Sequence, residues 1–303
     1  MNLPICAVVL LGTRVFLSPS RAERPRRLDA AGAALSVLAL SAVLVPAALG
    51  QTLEWPAWTL ACLLCGLIAV GLLVSHVRAT QRRGGHPIIA PRLFTRPEFA
   101  LSIGLAVLFF AGNAGLFLIL TYHLQAGLSL SPLDTGLVFT PLGAGFALTS
   151  AASRRLASRV GIRLAVAGAG LMAVSLCAVP IATGTGGAQP WLLAAMLAVS
   201  GVGQGLVVVP MVATILAAVP RGESGSGSGV YGTFAQAGMA TGVAVLGAVY
   251  RGILGANPET HAPALTPGRF RGAFDTSALL LAAVAVIVGL LAARIAAITE
   301  RPR

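Results

Sequence analysis

Three uncharged polar side chains lie inside long apolar runs of the chain, and they are the first candidates for chemistry: Asn113, Gln204 and Gln236. An amide is costly in an apolar environment unless it is hydrogen-bonded. We therefore expect each of them to face the protein interior or a cavity. There it would either join two helices or line a path for a polar ligand, and the residue types leave both roles open. Pro210, which follows Gln204 in the same run, predicts a bend beside such a path.

The sequence predicts neither an enzyme nor a metal or cofactor site. Cys62 and Cys65 form a Cys-x-x-Cys pair, but no second pair and no flanking βαβ pattern accompany it, so they are interpreted as small apolar residues. No nucleophile, base and orienting group come together. The acidic residues are all predicted in loops or at helix ends: Glu23, Asp29, Glu54, Glu98, Asp134, Glu223, Glu259, Asp275 and Glu300.

The elements that must position these residues are predicted to be membrane-spanning helices. Of the 303 residues, 56% are hydrophobic and only 10% are charged. Apolar runs near the length of a bilayer crossing, about 20 residues, recur from end to end. The predicted class is thus an all-α, polytopic transmembrane helical bundle. About nine crossings are expected, at 2–17, 29–50, 57–78, 99–122, 132–152, 162–183, 190–218, 229–250 and 274–298.

The formal net charge of +12 is distributed over short loops, which indicates membrane topology rather than nucleic-acid binding. If the loops alternate sides, one side receives most of the arginines and the other receives only Arg251, Arg269 and Arg271. By the positive-inside rule the arginine-rich side is cytoplasmic, and the carboxyl terminus lies on that side. The arginines on that side are Arg21, Arg24, Arg26, Arg27, Arg78, Arg82, Arg83, Arg92, Arg96, Arg154, Arg155, Arg159, Arg163, Arg221, Arg301 and Arg303.

Small residues at helical spacing predict close helix packing in residues 200–250. Without a hydrophobic driving force between helices in lipid, glycine faces allow the close contacts that hold them together. The glycines expected to provide this packing are Gly201, Gly205, Gly229, Gly238, Gly242 and Gly247.

The turn at residues 155–163, RLASRVGIR, joins two predicted crossings. Gly161 permits a tight reversal of the chain. Arg155, Arg159 and Arg163 could pair with carboxylates or helix carboxyl ends, or could hold the turn at the membrane surface through anionic lipid. Physical reasoning alone leaves both alternatives open.

This turn resembles the loop signature of major facilitator superfamily transporters, with Ser158 where an aspartate is often found. Residues 2–5, NLPI, are similar to the opening of the sixth helix of the fourteen-helix drug:proton antiporters of the EmrB/QacA type. Residues 86–99, HPIIAPRLFTRPEF, resemble the cytoplasmic linker of that family, and residues 200–250 resemble two of its late helices. The resemblance implies the C-terminal part of a major facilitator fold, beginning at the sixth helix.

The resemblance also implies a domain organisation. Residues 1–20 would be the remnant of a transmembrane helix, residues 21–98 two linker helices with cytoplasmic loops, and residues 99–303 a six-helix C-terminal bundle. The implied function is proton-coupled efflux of drugs or other small amphipathic molecules across the cell membrane. The implied partners are the lipid bilayer, the small amphipathic substrate and protons, and a separately encoded N-terminal half is one alternative for the missing helices.

Three alternatives concern the first five helices, which the resemblance places upstream of Met1 together with the usual membrane carboxylates. A separately encoded N-terminal half could supply them, the start codon could be misassigned, or the chain could be a remnant of a longer gene. By itself the chain is not expected to transport. A different class of function also remains: a non-transporting membrane scaffold or partner subunit that associates through its glycine-rich helix faces.

Overall fold

The computed structural model of the protein describes residues 6, 11–13, 29–49, 56–83, 91–184, 190–220, 224–255 and 266–299. Within those ranges every regular element is helical. The helices are α1 (Ala30–Leu49), α2 (Ala57–Arg82), α3 (Pro91–Phe94), α4 (Pro97–Thr121) with a π-helical extension (Tyr122–Gly127), α5 (Pro132–Val160), α6 (Arg163–Cys177), α7 (Val179–Gly184), α8 (Pro190–Ala217), α9 (Ser224–Leu254) and α10 (Pro267–Thr299).

The all-α prediction is confirmed, and the positions of eight of the nine predicted crossings coincide with helices. Seven described helices are long and apolar enough to span a membrane. The eighth, α1, carries a shorter apolar segment, Ala30–Val43. The predicted crossing 2–17 lies outside the described residues apart from positions 6 and 11–13. The part of the chain that the structure describes thus contains seven candidate spans, and the expected number of about nine is not confirmed.

The long helices α4, α5, α6, α8, α9 and α10 form a bundle in which two of them occupy central positions. Helix α8 packs against α5, α6 and α4, while α4 packs against α9 and α10. Helix α6 also packs against α10, which connects the helices around α8 with those around α4. Most of the interior is apolar: one buried cluster includes Phe99 and Met211, and a second includes Leu120 and Phe274.

Glycines of α8 bring its backbone against two neighbouring helices. A Cβ atom on Gly201 would collide with the carbonyl oxygen of Leu142 in α5, and one on Gly205 would lie 2.9 Å from the carbonyl oxygen of Phe146. Gly203, two residues from each of them, faces α6, where a Cβ would lie 2.6 Å from the carbonyl oxygen of Gly168. Only glycine allows α8 to approach both helices this closely.

Helix α9 uses a second pair of glycines in the same way. A Cβ on Gly238 would lie 2.5 Å from the carbonyl oxygen of Val107 in α4, and a Cβ on Gly242 would collide with the carbonyl oxygen of Ala111. The two glycines are one turn apart, so they fall on the same face of α9. This face forms the contact between α9 and α4.

Gly229 departs from its predicted role in packing. A Cβ there would meet nothing within 4 Å, and Gly229 is exposed. The physical reason is the helical period: about 100° per residue places Gly229 nearly opposite Gly238 on α9. Helix α9 therefore carries two small-residue faces, and only one of them is packed within the described bundle. Gly247 is buried near the other end of the helix.

The boundaries of α5 follow from local backbone chemistry. At its start the Ser131 hydroxyl accepts a hydrogen bond from the Asp134 N–H at 3.1 Å and donates to the Asp134 carboxylate at 2.6 Å. This reciprocal arrangement satisfies a helix-terminal amide. At its end Gly161 has φ 64° and donates its N–H to the carbonyl of Ala157. A side chain would strain that conformation, so glycine permits the short turn into α6.

Helices α1 and α2 form a hairpin beside the bundle. Gly66 of α2 faces α1, since a Cβ there would lie 3.1 Å from the Cβ of Ala42. At the start of α1 the Asp29 carboxylate accepts hydrogen bonds of 2.8 Å from the Gly32 N–H and from the His76 ring of α2. The hairpin contacts the bundle mainly through α1, which packs on α9.

The Gly242 contact predicts a difference between two alanine substitutions in the same helix. Gly242→Ala should destabilise the chain by about 1–3 kcal/mol, because the new Cβ forces α9 away from α4. Gly232→Ala is the matched control, since nothing lies within 4 Å of its Cβ position. Thermal unfolding followed by circular dichroism in detergent measures both. Equal melting temperatures for the two variants would contradict the packing described here.

Candidate functional site

Two of the predicted polar residues meet in the middle of the bundle. The Asn113 Nδ2 group on α4 donates a hydrogen bond of 2.7 Å to the Gln204 Oε1 atom on α8. Asn113 lies near the middle of the span Pro97–Gly127, and Gln204 lies near the middle of the span Trp191–Ala217. Gln204 is only 3% exposed. The structure therefore brings two amides together at mid-membrane depth.

A cavity of about 330 Å³ opens beside this amide pair, between α4, α5 and α8. Its described lining contains no ionisable side chain. Its walls are mostly aromatic and aliphatic, and the amides are its polar groups. The lining residues are Phe109, Phe110, Asn113, Phe117, Leu142, Gly143, Phe146, Gln204 and Val208.

Aromatic contacts extend the cavity wall. Phe117 stacks on Phe139 of α5 with ring centroids 4.9 Å apart and an interplanar angle of 6°. Phe110 contacts Phe109 edge-on at 5.3 Å and Tyr231 of α9 at 6.1 Å. Offset stacks and edge contacts of this kind add to simple apolar burial and fix the ring orientations. The cavity thus presents ordered aromatic surfaces to a ligand.

One hydrogen-bond donor of the pair has no acceptor in the part of the chain that the structure describes. The Gln204 Nε2 group is buried and has no hydrogen-bond partner among the described residues. An unsatisfied buried donor costs about 1–3 kcal/mol. A ligand that offers a carbonyl or hydroxyl oxygen would remove this cost by accepting from it. A second, much smaller cavity of about 10 Å³ also borders the amide pair, and Met172 and Leu281 are among its lining residues.

The other two residues predicted for the path lie elsewhere. Gln236 is exposed on α9 instead of facing the interior, because it shares the open face of that helix with Gly229 and Gly232. Pro210 is buried in α8 but is not among the residues that line the cavity. It accepts a hydrogen bond of 2.8 Å from the Thr214 hydroxyl at its carbonyl.

The loop-signature arginines lie away from the cavity. Arg155 and Arg159 are exposed in the last turns of α5, and Arg163 is exposed at the first residue of α6. A different arginine makes a contact between helices: Arg96, just before α4, donates to the carbonyl oxygen of Ala218 after α8 at 2.9 Å. This hydrogen bond connects the ends of α4 and α8, the two helices that carry the amide pair.

A second polar group occupies the opposite end of the bundle, where Asp275 lies inside α10 rather than in a loop. Its carboxylate accepts a hydrogen bond of 2.7 Å from the Thr183 hydroxyl and lies 3.5 Å from Arg271 Nε. The sequence prediction failed here because α10 begins at Pro267, well before the expected residue 274. Next to this group the buried His123 ring stacks on Phe274 at 4.3 Å.

The cavity phenylalanines were not among the predicted site residues. An aromatic residue in an apolar run is usually interpreted as part of the core. A signal was nevertheless present, since Phe110, Asn113 and Phe117 recur at spacings of three and four residues. That spacing puts both rings on the same helix face as the amide.

The hydrogen bond between Asn113 and Gln204 predicts energetic coupling. In a double-mutant cycle of Asn113→Ala and Gln204→Ala, we expect a coupling free energy of about 0.6 kcal/mol, with about 1.7 kcal/mol as the upper end for such bonds in membranes. Unfolding in mixed detergent micelles measures the four proteins. The cycle of Asn113→Ala with Gln236→Ala is the control and should be additive. A coupled control, or an additive test pair, would refute the assignment.

Comparison with known proteins places this site in a family context. Residues 5–243 and residues 103–302 match the Major Facilitator Superfamily. A probable actinorhodin transporter of Streptomyces coelicolor is 33% identical over 261 residues, which cover 84% of this chain and 45% of the relative. The puromycin resistance protein pur8 of Streptomyces alboniger is 33% identical over 302 residues, which cover 94% of this chain and 58% of the relative.

A third relative, the multidrug resistance protein Stp of Mycobacterium tuberculosis, is 29% identical over 269 residues, which cover 88% of this chain and 49% of the relative. The chain spans about half the length of these relatives. The family match extends over most of the sequence, and it agrees with the helical bundle and its apolar spans. This chain is a multi-pass membrane protein that belongs to the Major Facilitator Superfamily, a family of transporters rather than enzymes.

Proposed function

We propose that the chain forms the substrate-binding wall of an exporter for planar, amphipathic aromatic molecules. The observation that carries this proposal is the mid-span aromatic cavity with Gln204 in its wall, whose buried Nε2 group has no hydrogen-bond partner among the described residues. Transporters of this kind bind their substrates near the bilayer midplane, between packed helices. The four phenylalanines provide surfaces for stacking, and the amides provide a polar contact that orients the ligand.

The names of the relatives support a drug-exporting function. Their names refer to actinorhodin transport, puromycin resistance and multidrug resistance. The uncharged cavity wall fits molecules that bind through aromatic and hydrogen-bonding groups. Groups outside this cavity would contact the rest of the ligand and would select one compound within that class.

We further propose that the chain corresponds to the C-terminal part of a fourteen-helix EmrB/QacA-type drug:proton antiporter. The order of a two-helix hairpin followed by a six-helix bundle supports this proposal. A complementary N-terminal half would face the cavity, and proton exchange would drive efflux. The arginine-rich helix ends would lie in the cytoplasm by the positive-inside rule, in a cell membrane.

Binding can be tested with the chain alone, using doxorubicin as a fluorescent, planar probe in lipid nanodiscs. Gln204→Leu should weaken binding by about 5- to 30-fold, the loss expected for a hydrogen bond of about 1–2 kcal/mol. Gln236→Leu is the matched control and should bind like the unmodified chain, because Gln236 lies on the open face of α9. Equal loss in both variants would refute the assignment of the cavity.

Transport requires a separate test in everted membrane vesicles from cells that express this chain together with an N-terminal transporter half. Probe accumulation in the vesicle lumen should require a proton gradient and should stop when a protonophore collapses it. Accumulation that is unchanged by the protonophore would contradict proton coupling. If the probe binds but never accumulates, the alternative role as a scaffold or partner subunit is favoured instead.

A further inference from the structure

We propose that the arginine-bearing end of α2 is a binding site for an anionic phospholipid, with the headgroup held by arginines and an acyl chain lying along the helix. This role goes beyond the proposed efflux function, because α2 contributes nothing to the aromatic cavity. The site depends on three features of one helix face: its exposure, its apolar stripe and its unpaired charges.

The exposure of α2 is unusual among the spans. Only 17% of its most apolar window is buried, the lowest share of the seven candidate spans. Its buried residues, including Gly66, Ala69 and Val77, lie on the side that packs on α1. No other described helix makes extensive contact with α2. The opposite face is therefore open to the acyl chains of the bilayer along its length.

An apolar stripe runs along this open face and ends in arginines. Leu60, Leu64 and Leu67 are each at least 60% exposed. At about 100° per residue these three leucines, together with Arg78 and Arg82, fall within roughly 60° of one another around the helix. The stripe thus leads directly from the middle of the helix to the two guanidinium groups.

The dimensions of the stripe match one leaflet of a bilayer. From Leu67 to Arg78 the helix rises by about 16 Å. Half of a hydrocarbon core of about 30 Å is about 15 Å. An acyl chain lying on the stripe would therefore place its headgroup at the level of Arg78 and the residues that follow it.

The arginine end forms a recess with uncompensated positive charge. Arg78, Arg82 and Arg83 are exposed and have no carboxylate partner among the described residues. Since a phosphate accepts hydrogen bonds from several guanidinium groups, such a cluster is complementary to it. The recess has a volume of about 560 Å³ and its described lining comprises Gly71, Val74, Ser75, Arg78, Ala79, Arg82 and Arg83.

Gly71 provides the opening between stripe and headgroup recess. It lies on the same open face, and a Cβ at this position would meet nothing within 4 Å. The missing side chain leaves the helix backbone accessible between Leu67 and Ser75. A larger side chain at position 71 would occupy part of the recess without displacing any described protein atom.

The test is native mass spectrometry of the delipidated full chain, titrated with phosphatidylglycerol and, in parallel, with phosphatidylcholine. We expect preferential retention of phosphatidylglycerol. Because one surface arginine contributes roughly a fivefold change in affinity for an anionic membrane component, the triple variant Arg78→Gln, Arg82→Gln, Arg83→Gln should lose on the order of a hundredfold. Circular dichroism checks that each variant remains helical.

Two further variants separate a site from diffuse surface charge. Arg154→Gln, Arg155→Gln, Arg159→Gln removes the same number of exposed charges from the end of α5, and it should weaken phosphatidylglycerol binding clearly less than the α2 triple variant, because it leaves the recess intact. Gly71→Leu keeps every charge, and it should weaken binding severalfold by filling the recess. It also tests the proposal if the arginine triple variant does not fold.

Several outcomes would overturn the proposal. Equal losses in the two triple variants would indicate general surface electrostatics. Full binding by Gly71→Leu would show that the recess is not used. Complete competition by glycerol phosphate would indicate a site for a free phosphate, and equal retention of phosphatidylcholine would show that charge does not select the lipid.

Discussion

Backbone contact at glycine is the constraint on which the rest of this structure depends. Lipid tails are as apolar as leucine side chains, so the bundle cannot be held together by the hydrophobic effect between its helices. Close approach must replace it, and α8 achieves this on two sides, at Gly201 and Gly205 toward α5 and at Gly203 toward α6. Gln204 lies between these contacts in the sequence. The helix that makes close backbone contacts on two sides is therefore the helix that presents the buried amide to α4.

The site follows from this arrangement. Since α8 is held against α5 and α6, the Gln204 amide can reach Asn113 at 2.7 Å while a cavity remains open beside it. Glycine contacts also hold α9 against α4 at Gly238 and Gly242. Rigid backbones around a partly unsatisfied polar pair are what a binding site of defined shape requires, because a ligand then meets fixed donors and ring faces rather than mobile ones.

The sequence was sufficient for the position and type of the described long helices, since apolar runs of bilayer length have few other interpretations. It also identified Asn113 and Gln204 as polar residues inside them. It could not decide which side of α9 is packed, because Gly229 and Gly238 give that helix small residues on opposite faces. The same ambiguity applies to Gln236, which lies on the exposed face of α9. The start of α10 was missed because Pro267 and Gly268 resemble a turn, although proline is well tolerated in the first turn of a helix.

The attachment of the α1–α2 hairpin has a consequence for how such proteins diversify. The hairpin contacts the bundle mainly through α1, whereas α2 contacts mainly α1. Because the hairpin contacts the bundle mainly through one helix, its coding segment can be inserted or deleted without repacking α4, α8 or the amides between them. A change in the number of crossings at this hairpin would therefore leave the packing around the amide pair unaltered.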